Sequence, residues 1–126
     1  MAATAITVGY GNSSVSYSWN GTGWDRSQDG APTVDTTGAR TSPTTVIVQF
    51  VDYRASSADG ASPEAVTVGE GTAWIFTEGH VVKGRWRRNG STATTSYVDS
   101  ASGNPIAIVP GRTWIELPRP GRAGSS

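Results

Sequence analysis

The sequence contains no cysteine and a single histidine, His80, and both shortages limit the chemistry of its 126 residues. Without cysteine there is no disulfide, no thiolate nucleophile and no Cys-containing zinc site. One histidine cannot form a histidine-based metal cage, and a Ser-His-Asp triad would depend on this residue alone. No G-x-S-x-G motif is present. We therefore assign no catalytic residue, no metal ligand and no cofactor, and we expect His80 to lie at a turn or strand end.

The chain also lacks an excess of charge and a long apolar run. Ten basic residues balance ten acidic ones, so the whole chain has no field that would attract nucleic acid or an anionic bilayer. The longest apolar runs, TTVIVQFV and PIAIVP, are far shorter than the ~20 residues of a membrane-spanning helix. The N-terminus has none of the features of a signal peptide. We expect a soluble chain that does not bind nucleic acid.

What the sequence does contain is a series of short strand candidates separated by turn residues. Apolar residues alternate over residues 6–10 and again over 15–19, which predicts a hairpin. GWDRSQ is a third candidate, and residues 44–53, TTVIVQFVDY, are apolar on both faces, as in a central strand. The candidates in the second half are AVTVGEG, TAWIFTEG, HVVKGRWRRNG, TTSYVDSASGN and RTWIEL.

These segments predict the fold class. No stretch of ten or more residues has a helical period, and sixteen glycines and seven prolines would interrupt one. The sequence predicts an all-β fold, a single small antiparallel sandwich or partly open barrel of about seven to nine short strands. We expect one β domain over residues 1–117. Residues 55–63 are expected to form an exposed loop, and residues 118–126 a disordered tail.

Positive charge is concentrated in GRWRRNG, residues 84–90, which follows Lys83. If residues 80–88 form a strand, Lys83, Arg85 and Arg87 share one face, Trp86 turns to the core and Arg88 ends the strand. Cations spaced in this way repel one another unless carboxylates lie opposite. The carboxylates that we expect on neighbouring strands are Glu116, Glu78 and Asp99. The sequence favours a solvated, partly ion-paired face. It leaves open that these residues bind an anionic partner or take part in catalysis.

The five tryptophans have two interpretations. A small domain needs large side chains to fill its core, and we expect most of the five to be buried, with Trp24 the least securely so. The alternative is an exposed tryptophan platform that stacks on sugar rings. The ten acidic residues could supply the two carboxylates of a glycoside hydrolase. Any set of ten acidic residues contains possible pairs, however, so this signal is weak. The four tryptophans expected in the core are Trp19, Trp74, Trp86 and Trp114.

The second half also carries a resemblance to a known family. The runs GEGTAWIFTEGHVVKGRWRR and DSASGNPIAIVPGRTWIEL look like the C-terminal domain of the YerB-like family of bacterial proteins, a family of unknown function. The recurring pattern is a G-x-W-x-R strand, here residues 84–88, and a G-x-P-I-x-L-x-P-G-x-T-W-I-E ending, here residues 103–116. RSQDG and TTVIVQF also fit, so the similarity covers roughly residues 5–117.

The resemblance implies a lipoprotein of the cell envelope, extracytoplasmic, in which a larger N-terminal domain precedes this one. The chain would be the C-terminal module of that protein and would have the N-terminal domain of the parent as one partner. A protein or an anionic polymer of the envelope would be another. Contact with a membrane would be made only through an anchor that this chain lacks. The family supplies no catalytic residues.

Two functions remain open at this point. The first is a non-enzymatic module that binds a protein or anionic envelope partner through a basic strand. The alternative is an accessory domain of an envelope-glycan hydrolase, or a carbohydrate-binding module. Glu116 and its neighbour Trp114 would form either part of a site or a structural clasp between strands, and we favour the clasp. The partner-binding residues of the first hypothesis are Lys83, Arg85, Arg87, Arg88 and Glu116.

Overall fold

The computed structural model describes residues 1–56 and 62–126 as two stacked five-stranded sheets and one small hairpin. The first sheet has the order β12-β1-β2-β3-β4 and is antiparallel throughout. Its strands are β1 (Ala5–Gly9), β2 (Ser14–Trp19), β3 (Trp24–Gln28), β4 (Ala31–Pro32) and β12 (Ala123–Ser125). No helix in the described residues is long and apolar enough to cross a membrane.

The second sheet has the order β10-β9-β8-β5-β11, and its β5–β11 pair is parallel whereas the others are antiparallel. Its strands are β5 (Thr45–Gln49), β8 (Gly69–Thr77), β9 (His80–Arg88), β10 (Ser96–Asp99) and β11 (Thr113–Glu116). The hairpin consists of β6 (Tyr53–Ala55) and β7 (Pro63–Ala65). The predicted all-β sandwich is confirmed, and neither sheet closes into a barrel. The described residues form twelve strands, more than the seven to nine expected. The sequence underestimates the number because several strands have only two or three residues, too few to show a period.

Two apolar cores explain the patterns along the strands. The larger one lies between the sheets and contains alternate residues of β1 and β2, such as Ile6 and Tyr17. The smaller one covers the other face of the second sheet and includes Ile47 and Trp86. Because β5 contributes to both cores, all five of its residues are buried. This agrees with the prediction of a central strand at residues 44–53.

The tail of the chain differs from the prediction. Residues 118–126 do not form a disordered tail, because β12 pairs with β1 in the register Ile6↔Ser125 to Val8↔Ala123. The backbone NH of Gly9 also donates to the carbonyl of Arg122 at 2.7 Å. The small side chains of β12 carry no apolar alternation, but its backbone groups satisfy the edge of β1. The sheet therefore extends beyond residue 117.

Trp24 also differs from the prediction. It was expected to be the least securely buried tryptophan, but its exposed fraction is 0%, and its ring packs against Trp19 and Phe76 at centroid distances of 5.1 and 5.7 Å. Trp86 is buried as well, whereas the remaining three tryptophans are partly exposed. The Trp24 ring belongs to the larger core, between the sheets.

The predicted loop at residues 55–63 falls mostly outside the described residues. Its centre, residues 57–61, is not described, and its two ends pair with each other, since Ala55 lies opposite Pro63 in the β6–β7 hairpin. The hairpin carries Tyr53 and Ala65 onto the smaller core. It therefore covers part of the outer face of the second sheet.

Candidate functional site

Strand β9 has the alternation that the sequence predicts. Lys83, Arg85 and Arg87 are exposed, and Trp86 between them is buried against the smaller core. The Trp86 indole donates from Nε1 to the carbonyl of Phe50 at 2.8 Å. Position 71 must be glycine for this, because a Cβ there would lie 2.6 Å from Trp86 Nε1. The indole therefore anchors the strand, and the three cations, here called the basic row, point away from it.

The carboxylate opposite the basic row is Glu70. Arg85 Nη2 lies 3.5 Å from Glu70 Oε1, and Arg87 Nε lies 3.4 Å from Oε2. The sequence placed Glu70 at the boundary between the candidates AVTVGEG and TAWIFTEG, but β8 begins at Gly69, and Glu70 is directly opposite Arg87 in the ladder. None of the three carboxylates expected there occupies this position. In the described residues the two arginines thus share one carboxylate.

Lys83 completes the basic row, and no carboxylate of residues 1–56 and 62–126 forms an ion pair with it. Its Nζ lies 4.7 Å from the centroid of the Trp74 ring, a cation–π contact with the residue opposite it on β8. Three cations and Glu70 leave the row with a net charge of about +2 among the described residues. Such a row attracts anions at short range, although the chain as a whole is neutral.

A cleft of about 570 Å³ adjoins the basic row and is called the large cleft below. Arg85 and Glu70 line one part of it, Phe50 and Trp74 provide apolar surface, and the backbone of Gly121 lies on another side. The volume is within the range of small-molecule sites. The large cleft is also lined by Asp52, and both oxygens of Glu70 already contact guanidinium groups, so it offers a ligand aromatic surface and charges of both signs.

Arg88 does not belong to the basic row. It lies on the opposite face of β9, where Nε donates to the carbonyl of Ala93 at 3.0 Å and Nη2 to that of Ser91 at 2.6 Å. Its Nη1 donates to Thr67 Oγ1 at 3.1 Å. The side chain therefore holds the loop after β9, and the structure places it away from the partner surface for which it was a candidate.

Glu116 is also separate from the basic row. Strands β8 and β5 lie between β9 and β11, which puts Glu116 about 14 Å from β9 across the sheet. Its carboxylate is buried, with 7% of the residue exposed. It accepts hydrogen bonds from the hydroxyls of Tyr10, at 2.6 Å, and Tyr17. Arg26 Nε, 3.4 Å away, forms an ion pair with it.

The group of residues around Glu116, here called the Glu116 cluster, joins the two sheets. Tyr17 and Arg26 belong to β2 and β3 of the first sheet, whereas Glu116 and Trp114 belong to β11 of the second. The Arg26 guanidinium lies 4.8 Å from the centroid of the Trp114 ring. Both carboxylate oxygens of Glu116 thus contact other members of the cluster, an arrangement consistent with the structural clasp that the sequence favoured.

The ionisation of the cluster follows from its burial. Desolvation, followed by the hydrogen bond to Glu116, raises the pKa of both Tyr10 and Tyr17 well above the usual tyrosine value of 10.0. The two hydroxyls therefore stay protonated and donate to the carboxylate. A protonated tyrosine of this kind is a stable donor and a poor base.

Sequence reasoning did not find Arg26, Tyr10 or Tyr17 as partners of Glu116. They are separated from it by 90, 106 and 99 residues, respectively, so no local spacing joins them. The only available signal was that both tyrosines take inward positions in the alternation of the first hairpin, where a hydroxyl needs a partner.

Within the described residues no three or more His, Asp and Glu side chains cluster as metal ligands. His80 is exposed at the first position of β9.

The chain can now be compared with known proteins. Residues 5–115 match the family model described as "Protein of unknown function (DUF3048) C-terminal domain". The chain belongs to this family. No curated protein matches it. The fold is similar to the crystal structure of YerB protein from Bacillus subtilis, with a TM-score of 0.83 and 24% sequence identity over 97% of this chain and 43% of that one.

The comparisons confirm the resemblance to the YerB-like C-terminal domain that the G-x-W-x-R and P-G-x-T-W segments indicated. At this level of identity the likeness to the solved structure concerns the fold alone. The chain spans less than half of the length of that protein. Activities, ligands and partners of a longer protein are therefore matters for proposal.

Proposed function

We propose that this domain is a non-enzymatic binding module of an extracytoplasmic lipoprotein and that its basic row binds an anionic polymer of the cell envelope. The observation that carries the proposal is the arrangement of Lys83, Arg85 and Arg87 along one strand. Among the described residues, Glu70 is the carboxylate that pairs with the two arginines. Alternate residues of a strand are ~6.6 Å apart, so the row presents positive charge at regular intervals. A polymer with regularly repeated negative charges complements such a row.

Rigidity supports this assignment. The Trp86 indole fixes the row from behind through its hydrogen bond to Phe50, and β9 pairs with β8 over nine residues. About half of each of the Arg85 and Arg87 side chains remains exposed. The cations are therefore held in place before a ligand arrives, which lowers the entropic cost of binding.

The alternative, an envelope-glycan hydrolase or a carbohydrate-binding module, has less support. A glycosidase needs two carboxylates that can reach the scissile bond. The large cleft is lined by Asp52 and Glu70, but both oxygens of Glu70 are engaged by guanidinium groups. A sugar-stacking site needs an open aromatic face, whereas Lys83 lies over Trp74. This contact leaves less of the Trp74 ring open for stacking on a neutral sugar.

The test compares wild-type protein with the double variant Arg85→Gln/Arg87→Gln for binding to soluble poly(glycerol phosphate) at several salt concentrations. Each lost cation should reduce the slope of log K against log salt concentration by about one, and affinity should fall. Arg54→Gln is the matched control, since Arg54 is an exposed strand arginine on β6 with a single carboxylate contact at 3.9 Å.

Two results would contradict the proposal. One is equal affinity of the wild type and the double variant for the polymer. The other is a loss of stability in the double variant as large as that of a core substitution, because the row would then be a structural ion-pair clasp. Tighter binding of a neutral glycan than of the phosphate polymer would instead support the carbohydrate-binding alternative.

A further inference from the structure

A second pair of arginines lies at the tight turn that leads into β12. Residues 119–122, Arg-Pro-Gly-Arg, close with a hydrogen bond from the NH of Arg122 to the carbonyl of Arg119 at 3.2 Å. Pro120 occupies the second position, and Gly121, with φ of 81°, the third, as a type II turn requires. The first and last residues of such a turn have Cα atoms less than ~7 Å apart. The turn therefore brings the backbones of Arg119 and Arg122 close together.

The backbone around this turn is fixed at both ends. The NH of Val51 donates to the carbonyl of Pro118 at 3.0 Å, before the turn, and the NH of Gly9 donates to that of Arg122 at 2.7 Å, after it. The Arg119 guanidinium also lies 4.6 Å from the centroid of the Tyr53 ring. The Tyr53 hydroxyl in turn donates to the carbonyl of Leu117 at 2.6 Å. The two arginines thus project from an ordered support.

Both arginines line a cleft of about 340 Å³, here called the small cleft. Tyr10 and Tyr53 supply its aromatic surface, and Gly9 and Gly11 let a ligand approach the backbone. Among the described residues, none of those that line it is acidic. In residues 1–56 and 62–126, neither arginine lies within 4.0 Å of a carboxylate oxygen, whereas Arg26, Arg54, Arg85 and Arg87 all do.

Glu116, which accepts a hydrogen bond from a residue of the small cleft, already has several partners. Tyr10 lines the cleft, and its hydroxyl donates to Glu116. That carboxylate also contacts Tyr17 and Arg26. It therefore has little capacity left to neutralise the arginines of the turn, and the small cleft keeps a positive charge that an external anion would balance.

We propose that the small cleft is a binding site for a phosphate group carried on a small polyol or sugar, held by Arg119 and Arg122. Guanidinium groups bind phosphate oxygens through paired N–H donors, and two of them on one turn suit one tetrahedral anion. The tyrosine rings and the glycine backbone accommodate the uncharged part of the ligand. The phosphate group comes either from a soluble phosphomonoester or from one unit of a phosphodiester polymer.

The site is distinct from the basic row but adjoins it. Pro120 and Gly121 of the same turn line the large cleft together with Arg85, so the turn separates the two clefts. A polymer that contacts the row has a path over the turn into the small cleft. The phosphate site does not depend on the function proposed for the basic row, because its own residues form it.

The experiment is a titration of ¹⁵N-labelled protein with inorganic phosphate, glycerol phosphate and poly(glycerol phosphate), followed at the amides of Gly9, Gly11 and Gly121. Saturable shifts at these amides are expected. Arg119→Gln/Arg122→Gln should weaken the binding by about tenfold or more. Arg54→Gln should leave it unchanged, and so should Arg85→Gln/Arg87→Gln with the two small probes, which separates this site from the basic row.

The variant Arg119→Lys/Arg122→Lys guards against a trivial loss of structure. It keeps both charges but not the paired donors, so we expect binding between that of the wild type and of the glutamine variant, with the amide shifts of β12 unchanged. Binding of glycerol phosphate identifies a monoester as ligand, and binding of the polymer alone identifies a phosphodiester unit. The proposal is overturned if no phosphate probe gives saturable shifts, or if the glutamine variant binds as tightly as the wild type.

Discussion

The Arg26–Glu116 and Arg87–Glu70 ion pairs have the same N–O distance, 3.4 Å, in opposite surroundings. The side chains of the first pair are 12% and 8% exposed, and those of the second 57% and 54%. A buried charge that loses its partner stays without solvation, whereas an exposed one regains water. Equal geometry thus supports different roles: the first pair joins the two sheets, and the second leaves its arginines available to a ligand.

The largest effect should come from Glu116→Gln. The change removes the charge that balances Arg26 inside the cluster, and breaking a buried pair in this way costs about 3–5 kcal/mol of unfolding free energy. Urea denaturation measures the loss. A loss below ~1 kcal/mol would mean that the buried pair contributes no more than an exposed one, and the contrast between the two pairs would disappear.

Arg88→Gln should have the next largest effect. Its three hydrogen bonds hold the loop after β9, and we expect a loss of about 2 kcal/mol. The neighbouring substitution Arg87→Gln should cost much less, because that side chain faces solvent. Thermal unfolding of the two variants, measured in parallel, checks the difference. Equal losses would show that the two faces of β9 are not distinct.

Alkaline pH should weaken the Glu116 cluster. The pKa of the buried Tyr17 hydroxyl lies above its unfolded value, so its contribution to stability is complete below about pH 10 and is lost as the pH rises further. The unfolding free energy should then fall by up to about 1.4 kcal/mol per pH unit from this group. Tyr17→Phe should show a shallower decline in urea denaturation above pH 10, and parallel curves would contradict the assignment.

Glu70→Gln should have the smallest effect on stability, below ~1 kcal/mol. It should also increase the affinity for poly(glycerol phosphate), because Arg85 and Arg87 lose their shared carboxylate. Calorimetry of binding, together with thermal unfolding, tests both parts. If affinity decreases instead, Glu70 positions the two arginines and does not compete with the ligand for them.

Local sequence patterns predicted the strands whose side chains alternate between buried and exposed positions. The alternation around Trp86 gave the correct faces of β9, because period two follows from the pleat of a strand. β12 could not be found in this way, since Ala123–Ser125 has small side chains and no alternation. It exists because the edge of β1 offers free backbone groups.

The sites were predicted less well than the strands. Glu70 was missed because a Gly-Glu-Gly sequence is typical of a turn, although here it begins a nine-residue strand. The partners of Glu116 come from the other sheet and are brought to it only by the stacking of the sheets. Arg119 and Arg122 were assigned to a disordered tail, and their proximity depends on the turn between them. The partners of Glu116 thus required long-range contacts, whereas the turn at residues 119–122 is local and follows from its Pro-Gly pair.

The pairing of β1 with β12 has one more consequence. The NH of Thr4 donates to the carbonyl of Ser126 at 2.8 Å, and the NH of Ser126 donates to that of Ala5 at 3.0 Å. A short linker would therefore join these two segments, and a circular permutant opened at the exposed Gly103–Asn104 turn should keep both sheets.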